Sequence, residues 1–152
     1  MKKILLAVSI FAGCFGVAQT FAGDEPMHMG HHHEMNSMDM RTSLGVTGGM
    51  KLHQLSNMRE HVEAIKNIVG LISENKFEEA ATIAHTKLGL SPEMQSMCGM
   101  FNNEKFEKLG LAFHKSGDEL GDTLHTKDMN ASLRALNKTM QYCVECHATY
   151  KQ

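Results

Sequence analysis

From residue 52 onward the apolar residues recur at helical spacing, and no segment alternates as a half-buried strand would. Leu52, Leu55, Met58, Val62, Ile65, Val69 and Ile72 advance by threes and fours, a stripe of about six turns that Asn75 ends. A second segment runs from Phe77 through Ala80, Ala81 and Ala84 to Leu88, where Gly89 is placed to close it. A loop with Ser91-Pro92 and two nearby methionines follows. Phe106, Leu109, Phe113, Gly117, Leu120 and Leu124 then share one face of a third helix. Asp128 or Asn130 caps a fourth, in which Leu133, Leu136, Met140, Cys143 and His147 fall in line. Long helices joined by short connections lead us to expect an all-α fold, an antiparallel four-helix bundle over residues 48–152. A looser helical array fits less well, because each stripe is narrow and heptad-like.

The first 47 residues obey no such pattern. Lys2 and Lys3 precede an apolar run from Ile4 to Ala12 that is too short to cross a bilayer, and Thr20-Phe21-Ala22 offers small residues for cleavage. Residues 1–22 are therefore expected to be a signal peptide and the protein to be periplasmic. Phe11-Ala12-Gly13-Cys14 offers a second export route, with lipid attached to Cys14, although phenylalanine suits the first lipobox position poorly. Residues 23–47 hold no aromatic residue and only two branched aliphatics, Leu44 and Val46, too few to offset the entropy of ordering. We expect a flexible segment there.

No stretch after the leader is apolar long enough to span a membrane. The leader takes two of the 15 basic residues and none of the 17 acidic ones, leaving a formal balance of −4. That charge gives nucleic-acid binding no support. A redox partner protein with a basic docking patch is allowed by it.

Cys143-Val144-Glu145-Cys146-His147 matches the pattern C-x-x-C-H, the attachment motif of c-type haem. Each thiol adds across one vinyl group, so both sulfurs must face the same porphyrin edge, and helix positions three apart share a face. The histidine after the second cysteine then reaches the iron as its proximal ligand. A redox C-x-x-C normally opens a helix after a strand, and no strand precedes this one. A structural zinc site would need further ligands at matching spacing, and Cys98 is the remaining cysteine of the helical region.

With that motif at the end of the last of four helices, residues 48–152 resemble the class II c-type cytochromes, the cytochrome c′ and low-spin cytochrome c-556 group. Cys143 to His147, the following Ala148-Thr149-Tyr150-Lys151 and Phe113-His114 carry the resemblance. The region is also similar to the periplasmic b-type four-helix cytochrome, where a methionine of the first helix and a histidine of the last bind iron. Those places fall here on Asn57-Met58 and His147. The resemblance implies one covalent haem lodged between helices near one end of the bundle, and His114 as a recurrent structural residue.

On residues alone, a methionine on an apolar stripe reads as core packing. In an up-down bundle, however, the start of helix one lies beside the end of helix four. The resemblance then puts Met58 opposite His147 as the distal ligand, and methionine with histidine raises the reduction potential. His61 sits beside the stripe and His53 faces away from Leu55 and Met58, so both are weaker rivals. Five-coordinate iron open to NO or CO, as in cytochrome c′, is the alternative. Tyr150 and Lys151 could touch the haem edge.

The chain has 13 methionines and 10 histidines, and much of that excess sits in the flexible segment. Met27, His28, Met29, His31, His32, His33, Met35, Met38 and Met40 form a dense donor set there. Thioethers suit cuprous copper, and imidazoles suit cupric copper or zinc. A copper-handling protein is thus a further alternative, against a plain low-complexity tail. Cys98 could pair two chains into a homodimer, join nearby methionines on copper, or sit quietly buried. No acid–base constellation is apparent. The expectation is a carrier of single electrons and not an enzyme.

Overall fold

The computed structural model describes residues 39–152. The expected leader, Cys14 and the tail donors from Met27 to Met38 lie outside the described residues. Within them the chain forms β1 (Thr42–Ser43), α1 (Gly48–Ser73) and α2 (Phe77–Ile83), which continues as a π-helical turn over Ala84–Leu88. Then come α3 (Pro92–Cys98), a 3₁₀ turn (Gly99–Phe101), α4 (Glu104–His125), α5 (Met129–Thr149) and β2 (Tyr150–Lys151). The described fold is all-α, with five α-helices, and none of them is long and apolar enough to cross a membrane.

Local chemistry explains the helix ends. Asn75 takes a left-handed φ of 59°, and the Lys76 amide reaches back to the Leu71 carbonyl at 2.9 Å, a Schellman closure of α1. Asn103 caps α4 by accepting from the Phe106 amide at 3.0 Å, and Asp128 caps α5 by accepting from Ala131 at 2.9 Å. The Ser91-Pro92 stretch is not the loop that the apolar pattern suggested. Ser91 Oγ accepts from the Met94 amide at 3.1 Å with proline at the first helical position, and α3 starts there.

The helix faces differ more. The side chains that α1 buries are Gln54, His61, Ala64, Ile68 and Ile72, whereas Leu52, Val62 and Val69 of the expected stripe are exposed. At 3.6 residues per turn the buried face is rotated about a quarter turn from that stripe. In α5 the buried residues are Ser132, Leu136 and Thr139, and Leu133 and Met140 are exposed.

Small side chains cause this rotation, because they let helices approach closely. Thr139 Oγ1 donates to the Ser116 carbonyl at 3.1 Å, and Ser116 Oγ donates to that of Phe113 at 2.6 Å, so α4 and α5 meet through small polar residues. On another side of α4, a Cβ on Gly117 would come within 2.5 Å of the Leu88 carbonyl oxygen, and one on Gly121 would strike the His85 ring. The π turn lies over these glycines. His114 Nδ1 pairs with the Leu88 carbonyl at 2.9 Å, and Asp118 accepts from the Leu90 amide at 2.9 Å. Polar groups loosened by the widened turn are met from α4.

The packed core draws on Ala64, Ile68 and Ile72 of α1, on α2 and its continuation, on Phe113, Leu120 and Leu124 of α4, and on Leu136 of α5. It therefore occupies the end of the fold where α1 finishes and α5 begins. At the other end, residues 39–46, within the stretch expected to be flexible, are fixed against the end of α5. β1 pairs in parallel with β2, Thr42 opposite Tyr150 and Ser43 opposite Lys151, and Val46 is buried. The backbone of this segment finds its hydrogen bonds in the chain's last residues, a long-range partner that composition could not reveal.

Candidate functional site

Opposite the core, a cavity of about 200 Å³ opens among α1, α3, the 3₁₀ turn, α4 and α5. The first half of α1 contributes Met50, His53, Gln54, Asn57, Met58, His61, Val62 and Ile65. Met97, Cys98, Met100 and Phe101 come from α3 and the turn, and Phe106, Leu109, Gly110, Phe113 and His114 from α4. The last two turns of α5 supply Tyr142, Cys143, Cys146 and His147. The start of α1 and the end of α5 thus share one site. Met58, Cys143, Cys146 and His147 all line it. Met40, the one tail donor within the described residues, is 84% exposed and takes no part.

Cys143 and Cys146 are half-buried and free. Burial raises both thiols, that of Cys146 to about 11, with Cys143 and Glu145 adding to it. Both stay protonated at neutral pH, as S–H groups facing an apolar space. Cys143 Sγ points to the Thr139 carbonyl at 3.9 Å. His147 is exposed in the last turn of α5, where its carbonyl accepts from Arg41 Nη1 at 3.3 Å. Met58 is half-buried.

Cys98 is buried against α4, where Gly110 leaves room for it, since a Cβ there would lie 2.8 Å from Sγ. Burial raises its thiol, and Glu107 raises it further. Beside it, Asn57 Nδ2 donates to Met97 Sδ at 3.3 Å.

Two residues of the site escaped the apolar pattern. Gln54 and His61 stand on the inner face of α1, about 20° apart around the axis, with Met58 about 40–60° to one side. Gln54 is 8% exposed, and its Oε1 has no hydrogen-bond partner among the described residues. His61 is 9% exposed, its ring 4.9 Å from Phe113 and 5.4 Å from His114 between centroids. Burial, with a lesser contribution from His114, holds its pKa down at about 4, so the ring is neutral. His114 is also lowered by burial, but its bond to the Leu88 carbonyl opposes the shift. The available signal was polar: Gln54, Asn57 and His61 are themselves spaced by three and four.

Among the described residues no three His, Cys, Asp or Glu side chains are grouped to hold a bare metal ion. What the site offers is a half-open apolar cavity with two protonated thiols on α5, imidazoles from α1, α4 and α5, and thioethers from α1, α3 and the 3₁₀ turn. No protein-family model, no curated protein and no solved structure matches this chain.

Proposed function

We propose that this chain is an exported monohaem c-type cytochrome that carries single electrons between redox partner proteins. Its frame is an antiparallel four-helix bundle of α1, α2 with its π continuation, α4 and α5, with haem attached near the end of α5. The observation that carries the reading is the sharing of one cavity by Cys143, Cys146, His147 and Met58, drawn from the two ends of the helical region.

The residues present suit that group. α1 and α5 make few close backbone contacts with each other, yet both line the cavity, which suits a flat body between them. Ile65, Leu109, Phe106 and Phe113 give it apolar walls. Gln54 Oε1 is a buried acceptor without a donor among the described residues, a state that costs about 1–3 kcal/mol unless a bound group or its water completes it.

Cys143 and Cys146, three apart on one helix, both line the cavity and would present their S–H groups to one edge of a bound haem. Each S–H would add across one vinyl double bond of the haem, sulfur bonding one carbon and the hydrogen going to the other, with no oxidant needed. His147 would hold the iron through its imidazole, and the strap of residues 39–46 holds its end of α5. Met58, which lines the cavity from α1, would add a thioether. The apolar walls limit the charge rearrangement that accompanies electron transfer. When bound, the haem supplies an iron that cycles between ferrous and ferric states.

The test is production in a bacterial host equipped for c-type haem attachment. The expected result is haem that stays with the polypeptide on a denaturing gel and gives a c-type pyridine haemochrome spectrum. Cys143→Ala/Cys146→Ala should lose it, and Met58→Ala should keep the haem while its ferrous spectrum changes. A wild-type chain that retains no haem after denaturation would end this reading.

A further inference from the structure

We propose that His61 is a second residue by which this chain holds the iron, and that His61 and Met58 divide the sixth position by oxidation state. Imidazole takes the ferric protein and thioether the ferrous. This inference rests on the haem reading above, and it concerns a residue that the apolar pattern had set beside the site.

The placement comes first. His61 lies on the inner face of α1, buried and lining the cavity, while Met58 stands nearer the edge of that face. Three residues separate them, about 4.5 Å along the helix axis. Side chains at that spacing reach neighbouring points of one surface.

The state of the ring comes second. A buried imidazole ordinarily ties at least one nitrogen to a protein group. His114, its neighbour, does so through the Leu88 carbonyl. His61 touches Phe113 and His114 through ring contacts, and neither of its nitrogens has a hydrogen-bond partner among the described residues. An untied, neutral imidazole facing a cavity that also holds Cys143, Cys146 and His147 has its lone pair free for a metal.

Two donors of unlike softness then compete for one place. Thioether sulfur favours ferrous iron, whereas the harder imidazole nitrogen favours ferric iron. On reduction, one electron arrives from the redox partner, the bond from His61 nitrogen breaks and the bond from Met58 sulfur forms. The imidazole leaves neutral, so no proton is taken up. Oxidation reverses each change.

The experiment compares ferric and ferrous spectra of the haem-loaded wild type, His61→Leu, His61→Phe and Met58→Leu at neutral pH. We expect the ferric wild type to lack the near-infrared charge-transfer band of a thioether-bound ferric haem, and both His61 variants to gain it. Met58→Leu should leave the ferric spectrum unchanged and alter the ferrous one. Pulsed paramagnetic resonance on wild type labelled with nitrogen-15 histidine needs no variant, and should find two axial imidazoles in the ferric protein. A thioether band in the ferric wild type, or a single axial imidazole, overturns the inference while leaving the haem reading intact. Absence of covalent haem from every sample overturns both.

Discussion

Arg41 Nη1 donates to the carbonyl oxygen of His147 at 3.3 Å, across 106 residues of sequence. Asp39 holds the same guanidinium at 3.0 Å from the other side, and Lys151 Nζ donates to the Asp39 carbonyl at 3.1 Å. The Leu44 amide closes the strap on the Lys151 carbonyl at 3.0 Å. The Arg41 guanidinium keeps the Asp39 carboxyl well below the usual carboxylate range, so the clamp stays charged at any physiological pH. Exposed pairs of this kind add little to global stability. Arg41→Ala should therefore leave the unfolding midpoint nearly unchanged and act locally. Amide hydrogen exchange should quicken at Leu44 and over residues 147–151. Unchanged exchange there would mean that the strap does not hold the end of α5.

The glycines of α4 should respond in order of what stands over them. At Gly117 an added Cβ meets backbone of the π turn, which cannot step aside, so Gly117→Ala should cost about 1–3 kcal/mol. At Gly110 it meets the Cys98 sulfur, so the cost of Gly110→Ala should shrink in the Cys98→Ala background. Gly70, in the last turn of α1, has open space, and Gly70→Ala should stabilise by about 0.4–1 kcal/mol. Urea unfolding of the single and double variants measures all three.

The rotated faces of the helices separate truncations that look alike in sequence. Leu120, with no exposed surface, should cost about 2–5 kcal/mol as Leu120→Ala. Leu52 sits on the expected stripe but is 71% exposed, and Leu52→Ala should change stability by no more than about 0.5 kcal/mol. Similar losses at the two positions would restore the unrotated face.

In the haem-free protein His61 should make the fold acid-sensitive. Its burial lowers the folded pKa from 6.5 to about 4, so the unfolded chain takes up the proton first. The stabilisation is complete above about pH 6.5 and is lost progressively as the pH falls towards 4. The full difference corresponds to about 3 kcal/mol. Urea midpoints followed by circular dichroism should fall across this window in wild type and fall less in His61→Leu. Parallel curves would show that His61 is not the group responsible.

Much of this was legible in the order of residues. Steps of three and four separated the long helices, and Asn75 and Asp128 marked ends that local chemistry enforces through a left-handed turn and a cap. Gly89, in contrast, ends its helix in extended backbone and is small because Asp118 and the His85 carbonyl crowd it. The thiols and the imidazole of α5 were legible because their spacing alone puts them together. The apolar pattern makes α3 a loop, because its signal in Ser91, Pro92 and Glu93 is a cap and not an apolar stripe.

The tertiary structure decided which face each helix turns inward and what covers the ends of the fold. A hydropathy pattern follows the largest apolar side chains, whereas close helix approach is governed by the smallest. Ala64, Ser116, Gly117, Gly121, Ser132 and Thr139 let backbones come near, and their contacts turned α1 and α5 away from the faces that Leu52, Val62, Leu133 and Met140 suggested. That rotation carried Gln54 and His61 to the cavity and moved Met58 towards its rim. The strap of residues 39–46 belongs to the same class of fact. Its hydrogen bonds run to partners a hundred residues away, and no local property of the segment records them.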